Sequence, residues 1–276
     1  MITVKEFPNR QFATIQELHK ALSENKELLK SQKKLQTKFT DTIAYSFAVN
    51  EKNEAVKSES INVDEVNVLR IKVVINTCNY FDSHYDVSLN GSWNRTVKNT
   101  KRTLLLDSHK YQFESIISDE VELKVEMFNW SELGYDYKGT TEALVFYCTI
   151  RKERNPFMFT QYAKGYVKEH SGGLRYVSLD MAINSEAEWN KEEKEVWDKY
   201  YPMIANKEDV DEYGFFWAVS EQKIIEGSAV VFGSNPITPT LSVEPVSDTS
   251  TKSDPSIDTP ALDLEKFKNY LNIKNN

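Results

Sequence analysis

Between residues 66 and 234 the chain repeats short apolar segments of strand-like periodicity, and these narrow its possible folds more than any other feature. "VNVLRIKVVINT" (66–77) alternates apolar and polar residues before turning wholly apolar, as a strand entering a core does. "RTLLLD" (102–107) is a short apolar strand, "VELKVEMF" (121–128) alternates with period two, and "EALVFYCTI" (142–150) is again apolar. "LRYVSLDMAI" (174–183) reads as a strand with Leu174, Tyr176, Ser178 and Asp180 on one face. Arg175, Val177, Leu179 and Met181 take the other face. "FFWAVS" (215–220) and "KIIEGSAVVFGS" (223–234) read as two closing strands. Helical segments interrupt the series. "SWNRTVKNT" (92–100) suits a short helix, and 186–206 a charged one whose Glu/Lys runs form a solvated face. "NPFMFTQYAKGYVKEH" (155–170) has Asn155 as N-cap and Pro156 in the first turn, with Gly172-Gly173 as its stop. The fold class expected is α+β, rich in strands.

The flanks differ in character. Residues 14–38 carry Ile15, Leu18, Leu22, Leu28, Leu29 and Leu35 at roughly helical spacing among Lys and Glu, so they read as one amphipathic helix with His19 on its surface. Residues 50–60 are polar and read as a linker. From about 235 the composition turns to Pro, Ser, Thr and Asp, which buries too little apolar surface to fold, and 262–273 forms a short amphipathic close. The expected organisation is a helical arm and linker (1–60), a strand-rich body (61–240) and a disordered tail with a terminal helix (241–276).

With 40% hydrophobic residues the chain has ample material for a core, and its net charge of −8 argues against sequence-independent nucleic-acid binding. No apolar run approaches the ~20 residues of a membrane span, and the first residues lack a secretion-signal pattern. Cys78 and Cys148 lie in apolar strand contexts, which points to two buried thiols in a reducing compartment rather than a disulfide.

Chemistry has few carriers. Asp82, His84 and Asp86 of "FDSHYD" share a face if extended, but three ligands in one short piece, with no partner cluster elsewhere, make a poor metal site. No metal and no cofactor is expected. The tripeptide Asp-Ser-His recurs in "TLLLDSHK", where His109 follows an apolar strand and so has a rigid scaffold behind it. Ser178 is a small polar residue within the 174–183 strand. Glu226 sits in the apolar run "KIIEGSAVVF", where a carboxylate is costly to bury unless it is paired, for example with an imidazolium. Spacing alone does not join these three residues.

Their order resembles the bacteriophage prohead (capsid maturation) serine protease family, which is related to the herpesvirus assemblin proteases. The resemblance rests on Asp82, Asp86, Gly91 and Trp93 of "NYFDSHYDVSLNGSWNRTV", on "TLLLDSHK", on "GGLRYVSLDM" and on "KIIEGSAVVFGSNPITPT", in family order across about 65–240. It implies a herpesvirus-protease-like β-barrel flanked by helices. It also implies a serine endopeptidase with Ser178 as nucleophile, His109 as base and Glu226 as the third member, Asp107 being the competitor for that last role. The implied substrates are the major capsid protein's scaffold segment, separate scaffold and the chain itself. The implied setting is the assembling procapsid in the host cell cytoplasm, with self-association there and no nucleic-acid or membrane partner. Two other readings are a catalytically inactive assembly or scaffold protein of the same fold, and a strand-rich binding module.

Overall fold

The computed structural model describes residues 1–38 and 61–246. These residues form one compact unit of two sheets with helices around them. The linker at 50–60, the terminal segment at 262–273 and most of the expected tail lie outside the described residues.

The first sheet has the order β5-β6-β1-β9. Its strands β1 (Val68–Thr77), β5 (Glu120–Asn129), β6 (Thr140–Arg151) and β9 (Thr240–Pro245) are all antiparallel to their neighbours. The expected tail therefore starts too early, because residues 240–245 are a paired strand. The second sheet is built on β8 (Phe215–Val230), which pairs along its length with antiparallel β7 (Glu169–Ile183). Two short strands, β2 (Asp86–Ser88) and β3 (Leu105–Asp107), run parallel to β8, and β4 (Ile116–Ser118) pairs with β3. The expected pair of closing strands is one continuous strand. No closed barrel forms among the described residues; the strands divide between two separate sheets instead.

The core lies between the sheets. A Cβ at Gly227 would lie 2.6 Å from the Phe146 ring and 2.8 Å from Ile75, and one at Gly172 would lie 3.2 Å from Ile75. Gly172 and Gly227 are thus inward positions of the second sheet, pressed onto β6 and β1. Glycine in a strand commonly marks such close approach.

The N-terminal residues are part of this core rather than a separate arm. They form two helices, α1 (Ile15–Glu24) and α2 (Lys26–Leu35). Thr14 caps the first by accepting from Glu17 N at 3.2 Å. Asn25 breaks the single expected helix: its side-chain amide donates to Ala21 O at 2.8 Å, competing with the backbone ladder. Leu18, Leu22 and Leu29 enter the main apolar cluster beside Leu179 and Trp217. His19 is 5% exposed, its Nε2 lying 3.3 Å from Tyr213 O, so the surface reading of this residue is corrected.

Of the other helices, α3 (Asn94–Asn99) lies within the expected segment. The 186–206 excursion contains α5 (Lys191–Tyr200), and α6 (Lys207–Tyr213) follows. Asn155 caps α4 (Pro156–Ala163) as expected, accepting from Met158 N at 3.0 Å. That helix stops at Ala163, and Gly165 takes the left-handed turn at φ +66°. Gly172-Gly173 is therefore not a helix stop; both glycines lie inside β7.

Candidate active site

His109 stands where β3 ends. Ser108 and His109 both adopt left-handed backbone, at φ +53° and +56°, which is costly for side chains larger than glycine. This turn folds the chain back onto β8: Ser108 N donates to Ala229 O at 3.0 Å, and His109 N donates to Ser228 Oγ at 3.0 Å. The imidazole then meets Glu226, with Nδ1 2.6 Å from Oε1. The carboxylate is 1% exposed, and its second oxygen accepts from Ser228 Oγ at 2.7 Å. A buried carboxylate on Nδ1 fixes the orientation of the ring, so base chemistry falls to Nε2.

A register shift puts Glu226 there. Gly173 pairs with Glu226 but Leu174 pairs with Ile224, so Ile225 is an extra residue that turns Glu226 onto the outer face. A Cβ at Gly173 would lie 2.2 Å from Glu226 Oε1, so the carboxylate occupies the space that the missing side chain leaves.

The sequence-based trio is brought together only in part. His109 and Glu226 meet. Asp107, the competing acid, instead accepts from Ser108 Oγ at 2.7 Å. Ser178 pairs with Glu221, between two further register shifts. It lies five residues along β7 from Gly173, about 16 Å at ~3.3 Å per residue, which is beyond reach of His109. The shift at Tyr176/Ser178 also breaks the expected faces. Leu174, Tyr176, Leu179 and Met181 are buried, while Val177 and Asp180 are exposed.

A different serine lies on the strand face that carries Glu226. Ser171 pairs with Ser228 in β7–β8. Directly opposed residues point to one face with Cβ atoms about 4.5–5.5 Å apart. Ser171, Gly173, Glu226 and Ser228 therefore share a face, with His109 laid across it. Ser171 is 6% exposed. Tyr111 belongs to the same neighbourhood: burial, with the Glu226 charge added, pushes its phenol up to about 12. The sequence signal for Ser171 is a serine followed by two glycines inside a strand, the pattern of a backbone that another group approaches closely.

The remaining candidates serve the scaffold. Asp86 accepts from Lys33 at 2.6 Å and Lys38 at 3.0 Å and also from the Tyr176 hydroxyl, while Asp82 accepts from Lys38 at 2.6 Å. Burial works to raise the Asp86 carboxyl; the two ammonium groups overcome it and hold the group below the usual carboxylate range. His84 is half-buried rather than on the surface, and burial, reinforced by the Lys38 charge, pushes its pKa down to about 2. His170 is fully buried between Tyr162 Oη and Thr238 O, both 2.9 Å away, and burial lowers it to about 4. Cys78 and Cys148 are free, buried thiols that burial pushes up, away from thiolate chemistry. Among the described residues no helix is long and apolar enough to cross a membrane. No protein-family model, no curated protein and no solved structure matches the chain.

Proposed function

We propose that this chain is a serine endopeptidase of phage head maturation, with Ser171 as nucleophile, His109 as base and Glu226 as the group that orients the base. The observation that carries the reading is the 2.6 Å contact of His109 Nδ1 with a buried carboxylate, beside a serine on the same sheet face. In this reading Ser171 Oγ attacks a peptide carbonyl as its proton passes to His109 Nε2. The imidazolium then protonates the leaving amine, and water hydrolyses the acyl-enzyme by the reverse path. Ser228 holds Glu226 from its far side and acts as a positioning residue.

The procapsid setting comes from the resemblance in motif order alone. On that reading the substrates are the capsid protein's scaffold segment, separate scaffold and the chain itself. The enzyme works inside the assembling procapsid in the host cytoplasm, in association with further copies. The herpesvirus-protease-like fold is the matching finer reading of the two-sheet α+β body.

A fluorophosphonate probe tests the chemistry directly. It is expected to label the full chain on Ser171, as mapped by peptide mass. Ser171→Ala should abolish labelling and lower any self-cleavage seen by intact mass on the order of 10⁶-fold. Ser178→Ala should behave as wild type. A chain that folds but takes no label would instead be a non-catalytic assembly protein.

A further inference from the structure

On the same outer face of β7–β8, away from His109, lies an open groove of about 840 Å³. Arg95, Lys101, Arg102, Arg175 and Lys223 line it, with Glu221 as the only acidic residue among the lining. The chain as a whole carries 42 acidic against 34 basic residues, so five cations to one acid run against its bias. Arg95 is held by Glu221 at 2.8 Å. Lys101, Arg102 and Lys223 are exposed and make no ion pair among the described residues.

The groove continues the candidate active site. Strand alternation puts Ser171, Gly173, Arg175 and Val177 on one face of β7, and Arg175 pairs with Lys223 across the strands. Arg175 is four residues from Ser171, about 13 Å along the strand. An extended peptide with its scissile bond at Ser171 lays its residues some three to five positions away over these cations. We infer that the groove binds a carboxylate-rich stretch of the substrate polypeptide, so that acidic residues at that distance from the scissile bond select the cleavage site. The inference rests on the endopeptidase reading. Nucleic acid fits less well, because the net negative charge of the remaining surface repels a long polyanion, whereas a short acidic segment need only meet the groove.

Binding is read without catalysis by titrating the full-length Ser171→Ala chain against a fluorescein-labelled glutamate-rich decapeptide and following anisotropy. The peptide is expected to bind more weakly as salt rises, and its glutamine counterpart not to bind. Lys101→Glu with Arg102→Glu, both at exposed positions, should weaken binding at least about tenfold with an unchanged thermal midpoint. In a peptide library cut by the wild-type chain, Asp and Glu are expected to be enriched three to five residues from the scissile bond, and the double variant should lose that enrichment. Unchanged binding in the double variant overturns the inference, as does tighter binding of an oligothymidylate than of the peptide. A Ser171 adduct without peptide binding removes the groove and leaves the endopeptidase. Peptide binding without an adduct overturns the endopeptidase and, with it, the peptide's assignment as substrate.

Discussion

Glycine 173 is the residue on which the geometry of the site turns. Its missing Cβ leaves room for the Glu226 carboxylate, and that carboxylate holds His109. Gly173→Ala would put a methyl group 2.2 Å from Oε1, so Glu226 must move and release the imidazole. Fluorophosphonate labelling of Ser171 is expected to slow on the order of 10⁴-fold, the scale on which loss of the orienting acid acts. The fold should lose only about 1–3 kcal/mol through overpacking. Labelling at the wild-type rate would show that Glu226 does not serve His109. The residue-scale logic also explains which site residues were legible in the sequence. Glu226 was, because a carboxylate inside an apolar run must find a partner. His109 was, because the strand before it ends at a fixed place. Ser171 was not, because the two glycines after it resemble a helix stop as much as a close approach, and the helical pattern of 155–163 ran on towards them. The strand read from Leu174 onward carries Ser178, on which the resemblance places the nucleophile.

Elements were legible where their periodicity was unbroken, as in β5 and β6, and obscured where register shifts reset it. The shift at Tyr176/Ser178 moves apolar residues from one parity to the other along β7. The polar stretch "SEQK" makes β8 look like two strands, although its pairing with β7 continues across it. For α1 and α2 the amphipathic pattern was real, but it could not say whether the apolar stripe faced another copy or this body. The answer lies in a polar cluster far away in sequence, where Lys33 and Lys38 reach Asp86 from the N-terminal segment. Asp86 is 2% exposed, so its pairing is a docking device as well as an electrostatic one. Asp86→Asn leaves two lysines facing a neutral amide, and breaking a buried pair in this way costs about 3–5 kcal/mol. The expected result is a lowered denaturation midpoint together with faster tryptic cleavage at Lys33. A lowered midpoint with no change at Lys33 would mean that the cluster does not hold α2 in place.

At the scale of the whole molecule, His170, His84 and Asp86 act in one direction on stability against pH, while burial raises the carboxyls of Glu6 and Asp82 and so acts in the other. His170 is neutral in the folded core because burial lowers its pKa from 6.5 to about 4, and His84 is displaced the same way. An unfolded chain takes up these protons near pH 6.5, before the folded one does. The stability that their burial as neutral rings contributes is therefore complete above that pH and declines as the pH falls towards 4. For His170 alone the displacement corresponds to roughly 3 kcal/mol when fully expressed. Asp86 works in the same direction in a lower window. Its carboxyl is held below the ordinary range when folded, so its contribution is present above about pH 4 and fades below it. Urea midpoints of the full chain are expected to fall from pH 6.5 to 4. His170→Gln should flatten that slope while lowering the midpoint at neutral pH, since the Tyr162 and Thr238 contacts are disturbed. A slope that survives the substitution unchanged would mean that His170 is not kept neutral by its burial and that the acid sensitivity arises elsewhere in the fold.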